Sequence, residues 1–465
     1  MRLILGDFFA PLNFTNLLVF FAFIFCCEII GFWLVNNFIG KPRFFLRGAV
    51  WLIGLGMVVF TYFLSHYFVS FAFPSILFVL LILSVLSINT YIKSKAWKSL
   101  FIFLKNNAVL SVFILPVLPM LFVKISLPPY MWDEMAYHYV SPYTLYFERV
   151  WNIGNGLYEN LPRLLETAYI ALFSLAKSYS LARLLHFSIF MTFLASAYTF
   201  LKERFGLVVA IIFFLLVIFH PENFLLWSTF GYIDIAVASF ILIGFLAFLD
   251  FLFTNTIESL VFSFVFFSLS IGTKYSALIQ FISILLILMF ILIKRKIRIT
   301  RYNKKLIFGV ILFFVLGGYW YLRNFVNTGN PIYPFLFGCK LDECISTNLG
   351  RWTTAFTISN FLNIFSRVFH NNKLLQHLFL ISIPLSILHR SIKVKITLFT
   401  IFAFIVADFL IVKWVSGYET RFFYHWQFFS VLIISLPLTD LPITNILKSS
   451  HKIIYRLKNH VNQKV

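Results

Sequence analysis

The loop that begins after residue 127 carries the densest group of side chains that could do acid–base chemistry. Those side chains are Asp133, Glu134, Tyr137 and His138. A helix starting at Trp132 would gather them on one face, because residues four positions apart are neighbours on a helix. Adjacent carboxylates beside a histidine can tune one another's pKa values, which suits proton transfer. The same spacing fits an interfacial helix whose polar side faces water, and the sequence leaves both interpretations open.

Three basic residues lie at the ends of later apolar segments, on the predicted outer side of the membrane. They are Lys274, Arg323 and Arg421. An arginine offers a two-pronged donor to phosphate and a lysine offers a point charge, so each is a candidate phosphate ligand. Each also has an ordinary explanation. Lys274 can snorkel to the membrane surface, Arg323 can anchor a span end, and Arg421 can pair with Glu419.

Further acidic and sulfur side chains have open roles. Asp234, Glu166 and Tyr137 are candidate substrate or metal contacts, although the helix dipole alone would favour Asp234 at the start of its helix. Asp133, Glu134 and Asp234 could form an oxygen-rich site for a divalent cation, or only handle protons, and no cofactor is certain. Cys339 and Cys344 bracket a polar tetrapeptide and could form a local disulfide.

The composition says where such chemistry would take place. The chain has 465 residues, of which 61% are hydrophobic and 12% are charged, and its formal net charge is +21. A soluble core of this size could not hide that much apolar surface, and nucleic-acid binders keep their basic residues on polar segments. A soluble enzyme, a nucleic-acid binder and a disordered tail are therefore excluded, and the fold class is an all-α polytopic membrane protein.

About thirteen membrane spans are predicted, since each needs about 20 apolar residues. They lie near 17–37, 48–65, 71–91, 108–123, 181–200, 206–219, 233–252, 259–272, 276–293, 306–322, 375–388, 396–412 and 422–437. Most of the 38 Lys and Arg residues fall in alternate loops, which predicts an outer N-terminus and a cytoplasmic C-terminus. The inner loop 253–258 carries neither residue and fits this rule least well. Stretches 124–180 and 323–373 become long outer loops with amphipathic interfacial helices.

An ordered set of short motifs resembles the GT-C membrane glycosyltransferases, in the branch of protein O-mannosyltransferases and aminoarabinose transferases. The motifs are Trp-Asp-Glu-x-x-Tyr-His from residue 132, residues 162–166, Gly231 to Asp234, Gly272 to Tyr275, Trp320 to Asn324, and Thr328 to Pro334. The resemblance covers residues 128 to about 437. The chain departs from the family in having three spans ahead of the one that leads into the acidic loop, and in lacking a sizeable soluble C-terminal domain.

The resemblance implies a hexosyl- or pentosyltransferase of the plasma (inner) membrane. Such an enzyme takes a sugar from a polyprenyl-phosphate donor and passes it, with inversion, to a glycan, lipid or protein acceptor on the outer face. It implies that Asp133 activates the acceptor, with Glu134 as its neighbour in an acidic pair. His138 would assist Asp133 or cap the interfacial helix. The expected organisation is N-terminal spans in 1–107, a GT-C-like unit in 108–437 and a basic cytoplasmic tail in 438–465.

Two other functions stay open. A transporter or flippase of lipid-linked saccharides would use the same spans and cations, but it predicts charged residues in the middles of several spans, where Glu28 and Asp408 are the main examples. A scaffold in an envelope assembly complex would tolerate substitution of Asp133 and Lys274 together. Membrane lipids are expected partners in every case, and nucleic acid in none.

Overall fold

The computed structural model describes residues 12–65, 73–129, 131–134, 138–139, 160–295, 303–333, 366, 368–369, 372–412 and 424–439. Every regular element in these ranges is helical. The expected all-helical membrane architecture is confirmed at this level, because seven of the helices are long and apolar enough to cross a bilayer. The total of thirteen spans and the orientation of the chain stay predictions.

The N-terminal helices carry the labels α1 to α6. They are α1 (Phe14–Leu34), α2 (Val50–Ser65), α3 (Phe73–Lys93), α4 (Ala96–Asn106), α5 (Val109–Ile114) and α6 (Leu118–Ser126). A π-helical turn, Val35–Ile39, extends α1, and a 3-10 turn, Phe44–Ala49, leads into α2. The predicted span 108–123 is divided between α5 and α6, because Pro116 has no N–H to donate.

Twelve further helices follow. They are α7 (Leu164–Ala176), α8 (Ser180–Phe205), α9 (Leu207–Ile218), α10 (Phe224–Trp227), α11 (Asp234–Thr254), α12 (Ile257–Thr273), α13 (Ser276–Arg295), α14 (Asn303–Phe313), α15 (Tyr319–Thr328), α16 (Lys373–Leu388), α17 (Ile392–Val412) and α18 (Tyr424–Ser435). A π-helical turn, Phe314–Gly318, joins α14 to α15, and a 3-10 turn, Leu436–Leu438, extends α18.

Helix α7 lies inside the stretch that was predicted to be an outer loop. It is apolar and almost wholly buried, but its 13 residues are too few to span a bilayer unaided. Tyr62 of α2 contacts Ser174 of α7 through their hydroxyls, and Phe63 of α2 packs on Trp320 of α15. The N-terminal helices therefore share one core with the later ones, and the predicted domain boundaries stay predictions.

Helix α11 lies at the centre of the bundle. The most apolar 18 consecutive residues of α11 are all buried, as expected of a helix that is hydrophobic on every side. It packs on α12, α8 and α18, and the ring centre of its Phe245 lies 4.6 Å from that of Phe429 in α18. Its two ends carry Asp234 and Asp250, and each carboxylate marks one end of the bundle.

The Asp250 end is held by ion pairs. Asp250 accepts from Arg43 at 3.2 Å and from Arg204, and Glu258 pairs with Lys305. The turn between α11 and α12 thus meets basic residues from three of the loops predicted to be cytoplasmic. Its lack of Lys and Arg has a physical reason, since it supplies the carboxylates of this network.

Candidate functional site

The described residues of the predicted acidic loop, 131–134 and 138–139, lie at the other end of the bundle, and their acidic and histidine side chains are buried. Asp133, Glu134 and His138 are all buried, and Glu134 has 0% of its surface exposed. The neighbouring Trp132 is 66% exposed. The alternative of an interfacial helix with a wet polar face is therefore wrong. The physical reason is a set of buried partners, which replace the hydrogen bonds that water would otherwise give.

Glu134 is held by an arginine that the sequence analysis did not single out. Arg183 donates from Nε to Oε1 at 3.0 Å and from Nη2 to Oε2 at 2.8 Å, which is a two-pronged ion pair. Both side chains are at most 1% exposed. Because both carboxylate oxygens are engaged by Arg183, Glu134 is suited to positioning the loop.

The same guanidinium also fixes the approach to the loop. Its Nη1 donates to the carbonyl oxygens of Leu127 at 2.6 Å and Lys124 at 3.0 Å, at the C-terminal end of α6. Arg183 thereby ties α8, the end of α6 and the acidic turn together. An arginine in the first turn of an apolar helix is costly unless it is paired, and that cost is the signal that could have identified it.

Glu134 is also bound by the segment before α11. The Gly231 N–H donates to its Oε1 at 2.5 Å, and the Tyr139 hydroxyl approaches the same oxygen at 3.5 Å. A Cβ at residue 231 would lie 2.4 Å from the Tyr139 hydroxyl, so glycine is needed there. Burial and the nearby Glu134 charge raise the pKa of Tyr139 far above its ordinary value, so its hydroxyl stays protonated.

His138 and Glu166 form a second buried acid–base pair. The His138 Nδ1 lies 2.8 Å from Glu166 Oε1, and the second carboxylate oxygen of Glu166 is buried without a hydrogen bond. The Tyr232 ring lies 6.2 Å from the imidazole, and its hydroxyl accepts from the Asp133 N–H at 3.5 Å. The carboxylate sets the orientation of the imidazole, as partners of catalytic histidines do.

Asp234 and Lys274 lie at this end too and pair with each other. The Lys274 Nζ is 2.5 Å from Asp234 Oδ1, and the lysine side chain keeps 18% of its surface exposed. Asp234 opens α11, where His186 Nε2 accepts from the Ala236 N–H at 3.1 Å. His186 is a second buried residue of α8 that the sequence analysis missed, and it caps the helix that carries Asp234.

Arg323 belongs to a buried network at the end of α15. Its guanidinium lies 5.7 Å from the centre of the Trp320 ring, in a cation–π arrangement. Beside it, Asn324 Nδ2 donates to the Asn160 carbonyl at 2.9 Å and to the Tyr275 hydroxyl at 2.5 Å. Tyr275 follows Lys274, so this network connects two of the three predicted phosphate ligands, Lys274 and Arg323, to the segment that precedes α7.

Several predicted site residues lie outside the described residues. They are Tyr137, Arg421, Cys339 and Cys344. Within the described ranges, no group of three His, Cys, Asp or Glu side chains is placed to hold a metal ion. Of the three acids proposed either to hold a divalent cation or to handle protons, Glu134 pairs with Arg183 and Asp234 pairs with Lys274. The choice between the two roles stays a prediction.

Comparison of the chain with protein-family models, with curated proteins and with solved structures found no match. The resemblance to the GT-C glycosyltransferases therefore stays a prediction. The geometry defines a class of site: a buried carboxylate and histidine cluster at one end of a membrane-embedded helical bundle, with cations beside it. Such a site can accept a proton and hold an anion in a water-poor environment.

Proposed function

We propose that this chain is a membrane glycosyltransferase that uses a polyprenyl-phosphate sugar as donor and acts by inverting displacement. One observation carries the proposal. Asp133 and His138 are buried at the same end of the bundle as the cations Lys274 and Arg323. Burying acids is costly, and such clusters are concentrated at functional sites.

In this mechanism the acceptor hydroxyl or amine attacks the anomeric carbon, and its proton passes to the Asp133 carboxylate. The bond between that carbon and the phosphate oxygen breaks, and the phosphate leaves with the electron pair. Lys274 and Arg323 stabilise the departing phosphate, with Asp234 as the counterion of Lys274 before the donor binds. Glu134 and Arg183 are positioning residues. The site faces the outside of the plasma membrane, and the acceptor is a glycan, a lipid or a protein.

A flippase of lipid-linked saccharides is the second candidate, because the bundle contains a buried charged cluster away from the site. Asp408 accepts from Gln280 Nε2 at 2.8 Å and from His425 Nε2 and Trp426 Nε1, both at 2.7 Å. Ionisable groups inside spans often line transport pathways. The pairing among three helices also serves as a structural tie, which is why the enzyme is preferred.

Purified protein in detergent micelles separates the two functions. The enzyme is expected to consume a polyprenyl-phosphate sugar and release polyprenyl phosphate when an acceptor is present. A flippase makes no product without two compartments, so its donor would be recovered unchanged. Mass spectrometry of the extracted lipid gives the answer. Movement of labelled donor across vesicles without any loss of sugar would contradict the proposal.

A further inference from the structure

An apolar groove of about 680 Å³ opens on the side of the bundle, away from the candidate site. Its walls come from α1, α4, the α5–α6 pair and α8, represented by Phe25, Phe103, Ile114 and Met191. The helices α1 and α4 precede the part of the chain that carries the motif set. This groove is therefore built largely from elements outside the candidate site.

Four of the polar side chains that line the groove are bonded to other parts of the protein: Glu28, Trp51, Asn107 and Thr192. Glu28 forms an ion pair with Arg47 at 2.5 Å, and Trp51 Nε1 donates to the Thr192 hydroxyl at 3.1 Å. Asn107 donates to the Phe103 carbonyl at 2.9 Å and bonds with Thr199. With these groups satisfied internally, the surface offered to an occupant is hydrocarbon in character. It suits a lipid chain and does not suit a polar substrate.

Helix α4 forms one wall of the groove and also carries positive charge. Leu100, Phe103 and Leu104 line the groove, whereas Lys98 and Lys105 lie on the opposite, exposed face. The Lys98 ammonium lies 5.4 Å from the centre of the exposed Trp97 ring. Apolar residues on one face, lysines on the other and a tryptophan between them are typical of a helix that lies in the headgroup layer.

Arg47 holds α4 in this place. It donates from Nε to the Ser99 hydroxyl at 2.8 Å and from Nη2 to the Ala96 carbonyl at 3.1 Å. The 3-10 turn that carries Arg47 begins directly after Arg43, which pairs with Asp250. Helix α4 therefore lies at the Asp250 end of the bundle, opposite the acidic cluster.

We propose that this groove binds one anionic phospholipid, with an acyl chain between α1, α5 and α8 and the headgroup phosphate beside Lys98 and Lys105 of α4. Charge complementarity selects this occupant. Exposed lysines on an interfacial helix attract anionic headgroups, and the other face of the same helix lines the groove that takes the acyl chain. This lipid is a structural ligand and is distinct from the donor, whose phosphate belongs at the other end of the bundle. The proposal does not depend on the glycosyltransferase function.

The test uses the full-length protein in nanodiscs of phosphatidylcholine that contain a trace of phosphatidylglycerol with a diazirine on one acyl chain. After irradiation, mass spectrometry is expected to find the label in residues 100–118 and 191–195. A phosphatidylcholine probe with the same diazirine is expected to label them about 25-fold less, because two lysines each contribute about a factor of five to anionic lipid binding.

Matched variants separate the groove from the general lipid surface. Ser111→Trp and Ala195→Trp fill the groove from two of its walls, and each is expected to abolish labelling of the groove. Val112→Trp is the control, because Val112 is next to Ser111 in the chain but is exposed and does not line the groove, and it is expected to leave the labelling unchanged. Lys98→Glu with Lys105→Glu is expected to lower it by at least about 25-fold, because both attractions are lost and replaced by repulsion. Lys373→Glu with Lys395→Glu makes the same change in net charge and is expected to have no effect.

Three results would overturn the proposal. Equal labelling by the two probes would show that the headgroup charge has no role. Labelling of α3 and α13 as strong as that of the groove would indicate ordinary bilayer contact. Displacement of the label by added polyprenyl phosphate would assign the groove to the donor lipid. None of these readouts requires catalysis, so failure of the glycosyltransferase proposal would be seen separately.

Discussion

At the scale of the residue, the two acids of the Asp-Glu pair have different surroundings. Glu134 is fully buried and meets Arg183, Gly231 and Tyr139, so its charge is balanced in place. Asp133 is buried beside it, with Tyr232 as a neighbour of its backbone N–H. The sequence predicted that these acids matter, and only the family resemblance gave them different roles, with Asp133 as the base and Glu134 as its neighbour. Their partners come from residues about 50 and 100 positions further along the chain, which no local pattern shows.

The Glu134–Arg183 pair predicts a non-additive pattern of stability. Arg183→Met and Glu134→Met are each expected to lower the free energy of unfolding by about 3 kcal/mol, because each leaves a buried charge without its partner. The double variant removes both charges and should lose less than the sum of the two. Equilibrium unfolding in mixed detergent micelles measures these differences.

The control for this series lies on the same helix. Lys202→Met changes an exposed basic residue of α8 and is expected to shift stability by no more than about 0.5 kcal/mol. Strictly additive losses in the double variant would mean that Glu134 and Arg183 do not depend on each other, and the positioning role of Arg183 would be lost.

At the scale of the element, close helix contacts depend on glycine. Gly31 of α1 faces Gly54 of α2, and a Cβ added at residue 54 would lie 1.8 Å from the Cys27 carbonyl oxygen. Without a hydrophobic driving force between helices inside a membrane, small residues at crossings allow the backbones to approach and pack. The sequence predicted both spans, but it could not predict this crossing, because the spacing of glycines does not identify the partner helix.

Gly54→Val is expected to destabilise the protein by about 3 kcal/mol, since the added carbons meet backbone atoms that cannot move aside cheaply. Gly309→Ala is the comparison, because its nearest neighbour is a Val261 side-chain carbon at 3.1 Å, and a smaller loss is expected there. Thermal unfolding of the purified variants in one detergent checks both. Equal stability of Gly54→Val and the wild type would show that α1 and α2 do not cross as described.

Element boundaries also show what the sequence could supply. The apolar runs predicted most of the long helices, because hydrophobicity over about 20 residues is a strong signal. They missed α7, because its 13 residues are fewer than a membrane span needs. They also missed α4, because its 11 residues include lysines among the apolar side chains and do not form a continuous apolar run. The short α5 and α6 were read as one span, and the break follows from proline chemistry.

At the scale of the whole molecule, the bundle has two ends of different character. One end carries the ion pairs of Asp250 and Glu258, and the other carries the acidic cluster with Lys274 and Arg323. The net charge of +21 fits a chain whose excess basic residues guide insertion. The ion pairs bring together basic residues from three loops that were all predicted to lie on the cytoplasmic side, Arg43, Arg204 and Lys305. Which end of the bundle faces the cytoplasm stays a prediction.

The most direct test of the central claim is sugar transfer by the Asp133→Asn variant in detergent. The substitution removes the proton acceptor but keeps the shape of the side chain, so we expect sugar transfer from a polyprenyl-phosphate donor to fall at least about 100-fold with the melting temperature unchanged. Glu222→Gln is the matched control, because it neutralises an acid that contacts Tyr424 and lies outside the acidic cluster, and it should keep near wild-type transfer. Wild-type rates in a folded Asp133→Asn protein would contradict the account.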